Sequence, residues 1–264
     1  MDDTDKKRVY YYSGTGNCLW SAKRIAERLD APPPIAITAE LVNEKPLIEG
    51  CVCVLVFPSY AYGLPALVRR FLKNAVICVD YYAAVSTCGS HTGGSFTSIK
   101  RFLKKKGQAL HFAAEIQTVE NYVHMFGFTK EPKLSARLKG QVVKTDEVAA
   151  QLAAFAQSRV QSCRPFSAFV NALFRFASHF FPLFYRVKKT CNGCGFCHKV
   201  CPCAAITMTE KNGRRRPKFR ASKCDHCQAC MELCPKKSIK YMRITPKSPR
   251  YRHPEIEINE LIKR

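Results

Sequence analysis

The sequence predicts an α/β fold: a doubly wound parallel sheet, a helical connector, and a small α+β domain. Three observations predict it. Strand-like and helix-like segments alternate from residue 7 to about residue 118, the pattern of a parallel sheet with helices on its faces. One strand-like segment, Cys51–Phe57, is apolar without interruption, as a central strand covered on both sides must be. The last third of the chain carries one cysteine pattern twice. These features divide the chain into residues 1–145, a connector 146–186, a second domain 187–245 and a tail 246–264.

The elements follow in order. Residues 7–12, KRVYYY, are β-branched and aromatic, which suits a strand. A glycine turn follows, then a helix over Cys18–Leu29, with Leu19, Ala22, Ile25, Ala26 and Leu29 at helical spacing. Pro32, Pro33 and Pro34 end it. A short strand is expected around Ile35–Thr38, then the central strand Cys51–Phe57 and a loop over Pro58–Pro65. Pro65 starts a helix over Ala66–Leu72. Ala75–Ser86 reads as a strand, Ser95–Lys106 as a helix with a basic outer face, and Ala109–Thr118 as the last strand. Residues 145–185 read as mainly helical, interrupted at Pro165 and Pro182. Their second part is rich in phenylalanine and is expected to pack between the two halves. The alternative is a helix that docks on a membrane surface or larger complex through residues 165–186, favoured by Arg175, Arg186, Lys188 and Lys189.

Composition bounds the function. The 264 residues are 47% hydrophobic and 24% charged, a globular balance rather than a disordered one. No run of about 18 apolar residues is present to cross a membrane as a helix. The opening MDDTDKKRVYYYS has no apolar signal region, so a cytoplasmic location is expected. Thiols stay reduced there, and 15 cysteines then point to metal rather than to disulfides. Lys plus Arg number 43 against 20 Asp plus Glu, a net +23 that implies an acidic partner.

The cysteine spacing is the strongest signal. Cys191, Cys194, Cys197 and Cys201, then Pro202, read C-x2-C-x2-C-x3-C-P; Cys224, Cys227, Cys230 and Cys234, then Pro235, repeat it. Three thiolates three residues apart on a tight loop reach three irons of one cubane, and the fourth opens toward another. Paired zinc sites are the rival reading, disfavoured by two copies of one spacing, each followed by proline. This part, about residues 187–243, resembles the bacterial ferredoxin with two [4Fe–4S] clusters. The resemblance implies that Cys191, Cys194, Cys197 and Cys234 hold one cluster, and Cys224, Cys227, Cys230 and Cys201 the other. Between the copies, Asn212-Gly213 separates two strand-like runs, a hairpin signal. That hairpin carries Lys211, Arg214, Arg215, Arg216, Lys218 and Arg220, read as a docking face for an acidic redox protein or reductase. Nucleic acid is disfavoured, because the basic run lacks interleaved aromatics for base stacking. Cys51, Cys53 and Cys78 read as small apolar strand residues, and Cys203 has no ligand spacing.

The turn Ser13-Gly14-Thr15-Gly16-Asn17 between strand and helix makes a nest of N–H groups at a helix N-terminus, a phosphate site. It lacks the lysine of a Walker A loop and the third glycine of a dinucleotide fingerprint. Ser13 to Cys18 resemble the phosphate loop of flavodoxins, with Cys18 where that family usually has Thr. The resemblance implies a flavodoxin-like doubly wound sheet and FMN, its phosphate held by Ser13, Gly14, Thr15, Gly16, Asn17 and Cys18. Two further loops follow strands, where flavin contacts belong. The first is Pro58, Ser59, Tyr60, Ala61, Tyr62 and Gly63, in which Tyr60 or Tyr62 is expected to stack on the flavin. The second runs from Thr87, Cys88 and Gly89 to Gly93 and Gly94, with N–H groups for the ring edge. His91 reads as a loop-structuring residue.

Taken together, the chain resembles a flavodoxin–ferredoxin fusion. The resemblance implies an electron-transfer protein that passes electrons between FMN, two [4Fe–4S] clusters and a redox partner. Two alternatives stand beside it. One is a flavin-dependent reductase with a small-molecule site near Tyr60, Tyr62 and His91; the other is a redox subunit docked to a larger or membrane-associated complex.

Overall fold

The computed structural model describes residues 6–122, 127–159, 165–178, 184–211, 213–241 and 249–263. Its first part alternates as the periodicity predicts. The elements are β1 (Lys7–Tyr11), α1 (Asn17–Arg28), β2 (Ile35–Ala36), α2 (Ala39–Asn43), β3 (Leu47–Pro58), α3 (Ala66–Asn74), β4 (Val76–Cys88), α4 (Ser95–Lys104), β5 (Phe112–Gln117) and α5 (Lys133–Ala153). The strands form one parallel sheet in the order β2-β1-β3-β4-β5. That order, 2-1-3-4-5, is the flavodoxin-like doubly wound arrangement.

Strand side chains alternate between the two faces. Tyr10, Leu55, Phe57 and Tyr82 bury against Leu67 and Phe71 of α3 and Ile99 and Leu103 of α4. Val9, Val54, Val56 and Val85 bury against Ile25 and Ala26 of α1 and Val148 and Leu152 of α5. Val54, Leu55, Val56 and Phe57 are all fully buried, the central-strand position that their unbroken apolar run predicts.

Four elements differ from the sequence reading, among them α2, where no helix is expected. β2 is only two residues long, paired to Tyr10 and Tyr11. β3 begins at Leu47, where Leu47 and Glu49 remain exposed and so leave no apolar run to read. α5 begins at Lys133 and runs through residue 145. Its inner face is partly polar: Gln141 and Thr145 are fully buried. Gln141 Nε2 donates to the Asn17 carbonyl oxygen and to Ser21 Oγ (both 3.1 Å), and Ser21 Oγ and Thr145 Oγ1 lie 3.2 Å apart. Hydrogen bonds replace apolar contacts there, so the hydrophobic period is missing.

Beyond α6 (Pro165–Ser178) lies a small α+β unit: β6 (Tyr185–Val187), α7 (Phe196–Lys199), β7 (Ile206–Lys211), β8 (Arg214–Phe219), α8 (Ala229–Glu232) and β9 (Ile239–Tyr241). β6 pairs antiparallel with β9, and β7 with β8 in the expected hairpin. The two parts share an apolar interior, in which Cys201, Cys203, Ile206 and Met231 join the face of the sheet that carries Tyr10 and Tyr12. Among the described residues no helix is long and apolar enough to cross a membrane.

Candidate functional site

The turn before α1 is built as its residues dictate. Gly16 takes the left-handed φ of 109°, and its N–H donates to Ser13 Oγ at 3.1 Å. The first-turn N–H groups of α1 have no acceptor within their own helix, which leaves a positive end for an anion. The loop faces a cavity of about 840 Å³ whose wall includes Ser13, Gly14, Thr15, Asn17 and Cys18. Cys18 Sγ lies 3.0 Å from Thr87 Oγ1 at the end of β4. Burial pushes the Cys18 and Cys88 thiols up to about 12, so both are uncharged at neutral pH and neither repels a phosphate.

The same cavity gathers Pro58, Ser59, Tyr60, Tyr62, Thr87, Cys88 and Gly89. Gly16, Gly63, Gly93 and Gly94 do not line it. Gly93 and Gly94 instead back the turn of Tyr62: a Cβ on Gly93 would lie 2.4 Å from Tyr62 Cβ, and Gly94 N donates to the Tyr62 carbonyl oxygen at 2.9 Å. Tyr60 and Gly63 exchange backbone hydrogen bonds, and Ala61 and Tyr62 between them both hold positive φ. Such a turn normally wants glycine or asparagine. Tyr62 stacks on His91 with ring centroids 4.4 Å apart, and His91 also lines the cavity.

Several lining residues escape the sequence reading. Thr118, Val119, Glu120, Asn121 and Tyr122 follow β5, and the strand-end rule that finds the other two loops points to them as well. Asn17 Nδ2 donates to Thr118 Oγ1 (3.2 Å) and to the Val119 carbonyl oxygen (2.9 Å), tying this loop to the glycine turn. Lys133 and Arg137 of α5, Val170 and Phe174 of α6, and His226 and Tyr241 of the second domain also line the cavity. Asn171 Nδ2 holds α6 to the Ala61 carbonyl oxygen at 3.1 Å. The outer face of α6 leaves Phe169, Leu173 and Phe176 exposed, while Phe180 and Phe181 lie outside the described residues.

The eight cysteines of the repeated pattern sort into two cages. Cys191, Cys194, Cys197 and Cys234 line one small cavity with Met208 and Pro217 of the hairpin. Burial raises the Cys197 thiol, with Cys234, Cys194 and Cys191 near enough to add to the shift, and it raises the Cys230 thiol, with Cys224, Cys227, Cys201 and then Cys197 near enough to add to it. Each group takes three thiols from one motif and one from the other. Burial pushes the Cys197 and Cys227 thiols up to about 12 and raises Cys224 and Cys230 as well. Metal must therefore displace protons to load. Of the remaining cysteines, Cys53 is a buried strand residue, whereas Cys78, also on a strand, is exposed.

The second domain and the tail close on the glycine turn before α1. A Cβ on Gly14 would lie 2.2 Å from the Cys227 carbonyl oxygen, so only glycine lets the turn meet the cysteine loop. Asp225 accepts from the first N–H groups of α3, Ala66 at 3.0 Å and Leu67 at 2.8 Å, and caps that helix from the other domain. Tyr12 OH lies 3.5 Å from Cys203 Sγ. The tail is a strap. Its Tyr251 N–H donates to the buried Glu232 carboxylate (2.7 Å), and its Tyr251 hydroxyl donates to Asn17 Oδ1 (2.6 Å). His253 N donates to the Thr15 carbonyl oxygen (2.8 Å), and the His253 ring stacks on Trp20 at 5.2 Å. Trp20 Nε1 donates to Glu255 at 3.0 Å.

Residues 190–238 match the family described as 4Fe-4S dicluster domain. An uncharacterized ferredoxin of Methanocaldococcus jannaschii is 28% identical over 60 residues, which is 23% of this chain and 78% of that protein. Among solved structures, a short-chain flavodoxin associated with a non-canonical PDU bacterial microcompartment aligns over 54% of this chain and 97% of its own, at 14% identity and a TM-score of 0.33. A flavodoxin, WrbA-like protein, of Agrobacterium tumefaciens aligns over 55% of this chain and 97% of its own, at 16% identity and a TM-score of 0.30. The strand order of the sheet is what assigns the fold of the first part.

Proposed function

We propose that this flavodoxin–ferredoxin fusion, whose domains support a redox, electron-transfer role, binds FMN in the shared cavity and passes electrons between it, two [4Fe–4S] clusters and an acidic redox protein or reductase. The observation that carries the reading is that one cavity has the phosphate turn on one side and His226, the neighbour of Cys227, on another. The residues present fit the group. The nest before α1 offers N–H donors, Ser13 and Thr15 add hydroxyls, and no thiolate stands against the phosphate. Tyr60 and Tyr62 supply aromatic surface, and Val170 and Phe174 add apolar surface to the lining. FMN bound there would exchange electrons in pairs or singly, and each cubane would carry one. Asn17 and Asn121 hold the turn in shape: Asn121 Nδ2 donates to Thr15 Oγ1 at 3.0 Å.

Anaerobic purification with iron, sulfide and flavin determination tests this. About eight irons and one FMN per chain are expected. A colourless, metal-poor chain after oxygen-free reconstitution would end the proposal. A flavin-dependent reductase is the second reading. Lys133 and Arg137 favour it, because they place two cations in the cavity wall where a small anionic substrate could be held. Substrate-dependent flavin oxidation with no protein partner present would select it.

A further inference from the structure

The two cysteine cages differ in what surrounds them. The cage of Cys201, Cys224, Cys227 and Cys230 faces inward. Its loop meets Gly14, its Asp225 caps α3, and its His226 enters the flavin cavity. The cage of Cys191, Cys194, Cys197 and Cys234 opens outward, with Cys194 exposed. The hairpin β7–β8 packs directly on it: a Cβ on Gly193 would lie 2.6 Å from the Arg215 carbonyl oxygen, and one on Gly195 3.9 Å from the Arg215 guanidinium.

Exposed cations flank this cage along the chain, with Lys236 in its lining and Arg215 beside Gly193 and Gly195. Lys188 and Lys189 precede Cys191, Lys236 and Lys237 follow Cys234, and Arg214 and Arg215 lie on the hairpin. Anions there are few. Of the three acidic residues in 187–241, Asp225 is spent on α3 and Glu232 is buried on the strap, which leaves only Glu210 exposed, opposite Arg215 in the hairpin.

We infer that the outer cage is the port of the chain: an acidic redox protein docks on the basic rim formed by Lys189, Arg214, Arg215, Lys236 and Lys237, above Cys194, and the inner cage serves the flavin cavity. This rests on the electron-transfer reading above. One electron crosses this face per encounter, from a reduced partner to the outer cluster or the reverse, with no bond formed or broken. A rim of one sign raises the encounter rate with an oppositely charged partner, and the attraction reaches ~30 Å at 0.01 M salt but only ~10 Å at 0.1 M.

The test uses the anaerobically purified, iron- and flavin-loaded chain with an acidic plant-type [2Fe–2S] ferredoxin as probe. Binding is measured at about 0.01 M and about 0.3 M salt. At low salt, Arg214→Glu/Arg215→Glu and, separately, Lys236→Glu/Lys237→Glu are each expected to weaken binding at least tenfold. Lys104→Glu/Lys105→Glu on α4 should change it less than twofold, and high salt should abolish it. Iron and flavin contents report that each variant is folded. Three results would overturn the port: no ferredoxin binding by the wild-type chain at low salt, equal loss in the α4 control, or full binding by both loaded rim variants. Binding of a duplex DNA probe, with none of the ferredoxin, would overturn it as well. A chain that takes up no iron overturns the parent reading and the port with it, whereas a fully loaded chain that ignores the rim reversals overturns the port alone.

Discussion

Glycines of the phosphate turn serve two masters at the scale of single residues. Gly14 is legible from its motif as part of an anion nest, yet its nearest neighbour is the Cys227 carbonyl oxygen. Gly14→Val should therefore act as an interdomain wedge as well as a loop defect. Overpacking of this kind costs ~1–3 kcal/mol, and the variant is expected to melt earlier and lose flavin in a calorimetric and absorbance assay. Gly140 is the contrast. It lies in α5 with open space where a Cβ would go. Gly140→Ala should stabilise the chain by ~0.8–1 kcal/mol, the helix propensity difference, as read by urea denaturation. Cys18 is visible in the sequence as a departure from the flavodoxin turn, but not its bond to Thr87, which lies 69 residues away. No local pattern encodes such a partner.

Among elements, the strap 249–263 reads from sequence as a mere tail, because it carries neither a period nor a motif. It holds the phosphate turn by contacts from Tyr251 and His253. Tyr251→Phe removes the donor to Asn17 and, at ~1 kcal/mol for one hydrogen bond, should weaken FMN binding about fivefold with iron content unchanged. Flavin fluorescence quenching would measure it. Trp20 is the single tryptophan of the chain, and it stacks on His253. Burial depresses the His253 imidazole from 6.5 to about 4. The folded chain thus binds fewer protons there than the unfolded one. The contribution of His253 is complete above pH 6.5 and is lost as pH falls toward 4. Tryptophan emission should shift across that window, and His253→Phe should abolish the shift. α5 teaches the same lesson in another form: its first half escapes the periodicity because buried Gln141 and Thr145 bond to α1 where a periodic helix would place apolar side chains.

At the scale of the whole molecule, the two cages are unequal although their motifs are identical. Cys194→Ala should cost about half the iron and leave the flavin in place, because none of the four cysteines of that cage lines the cavity. Cys227→Ala should lose its cluster and release flavin too, because its loop is packed on Gly14. Equal flavin retention in both variants, measured after anaerobic desalting, would contradict the inward placement of the second cage. The alternation of strands and helices, the apolar central strand, the glycine turn before α1, the cysteine spacing and the β7–β8 hairpin all follow from sequence alone, since each is written in residues a few positions apart. Only the tertiary structure decided which cage faces the cavity, that α6 covers it, and that the chain's last residues bind its first turn. Those outcomes depend on complementary surfaces whose parts lie as far apart as Asn17 and Tyr251, and packing between such distant segments leaves no period, spacing or composition in the sequence to read.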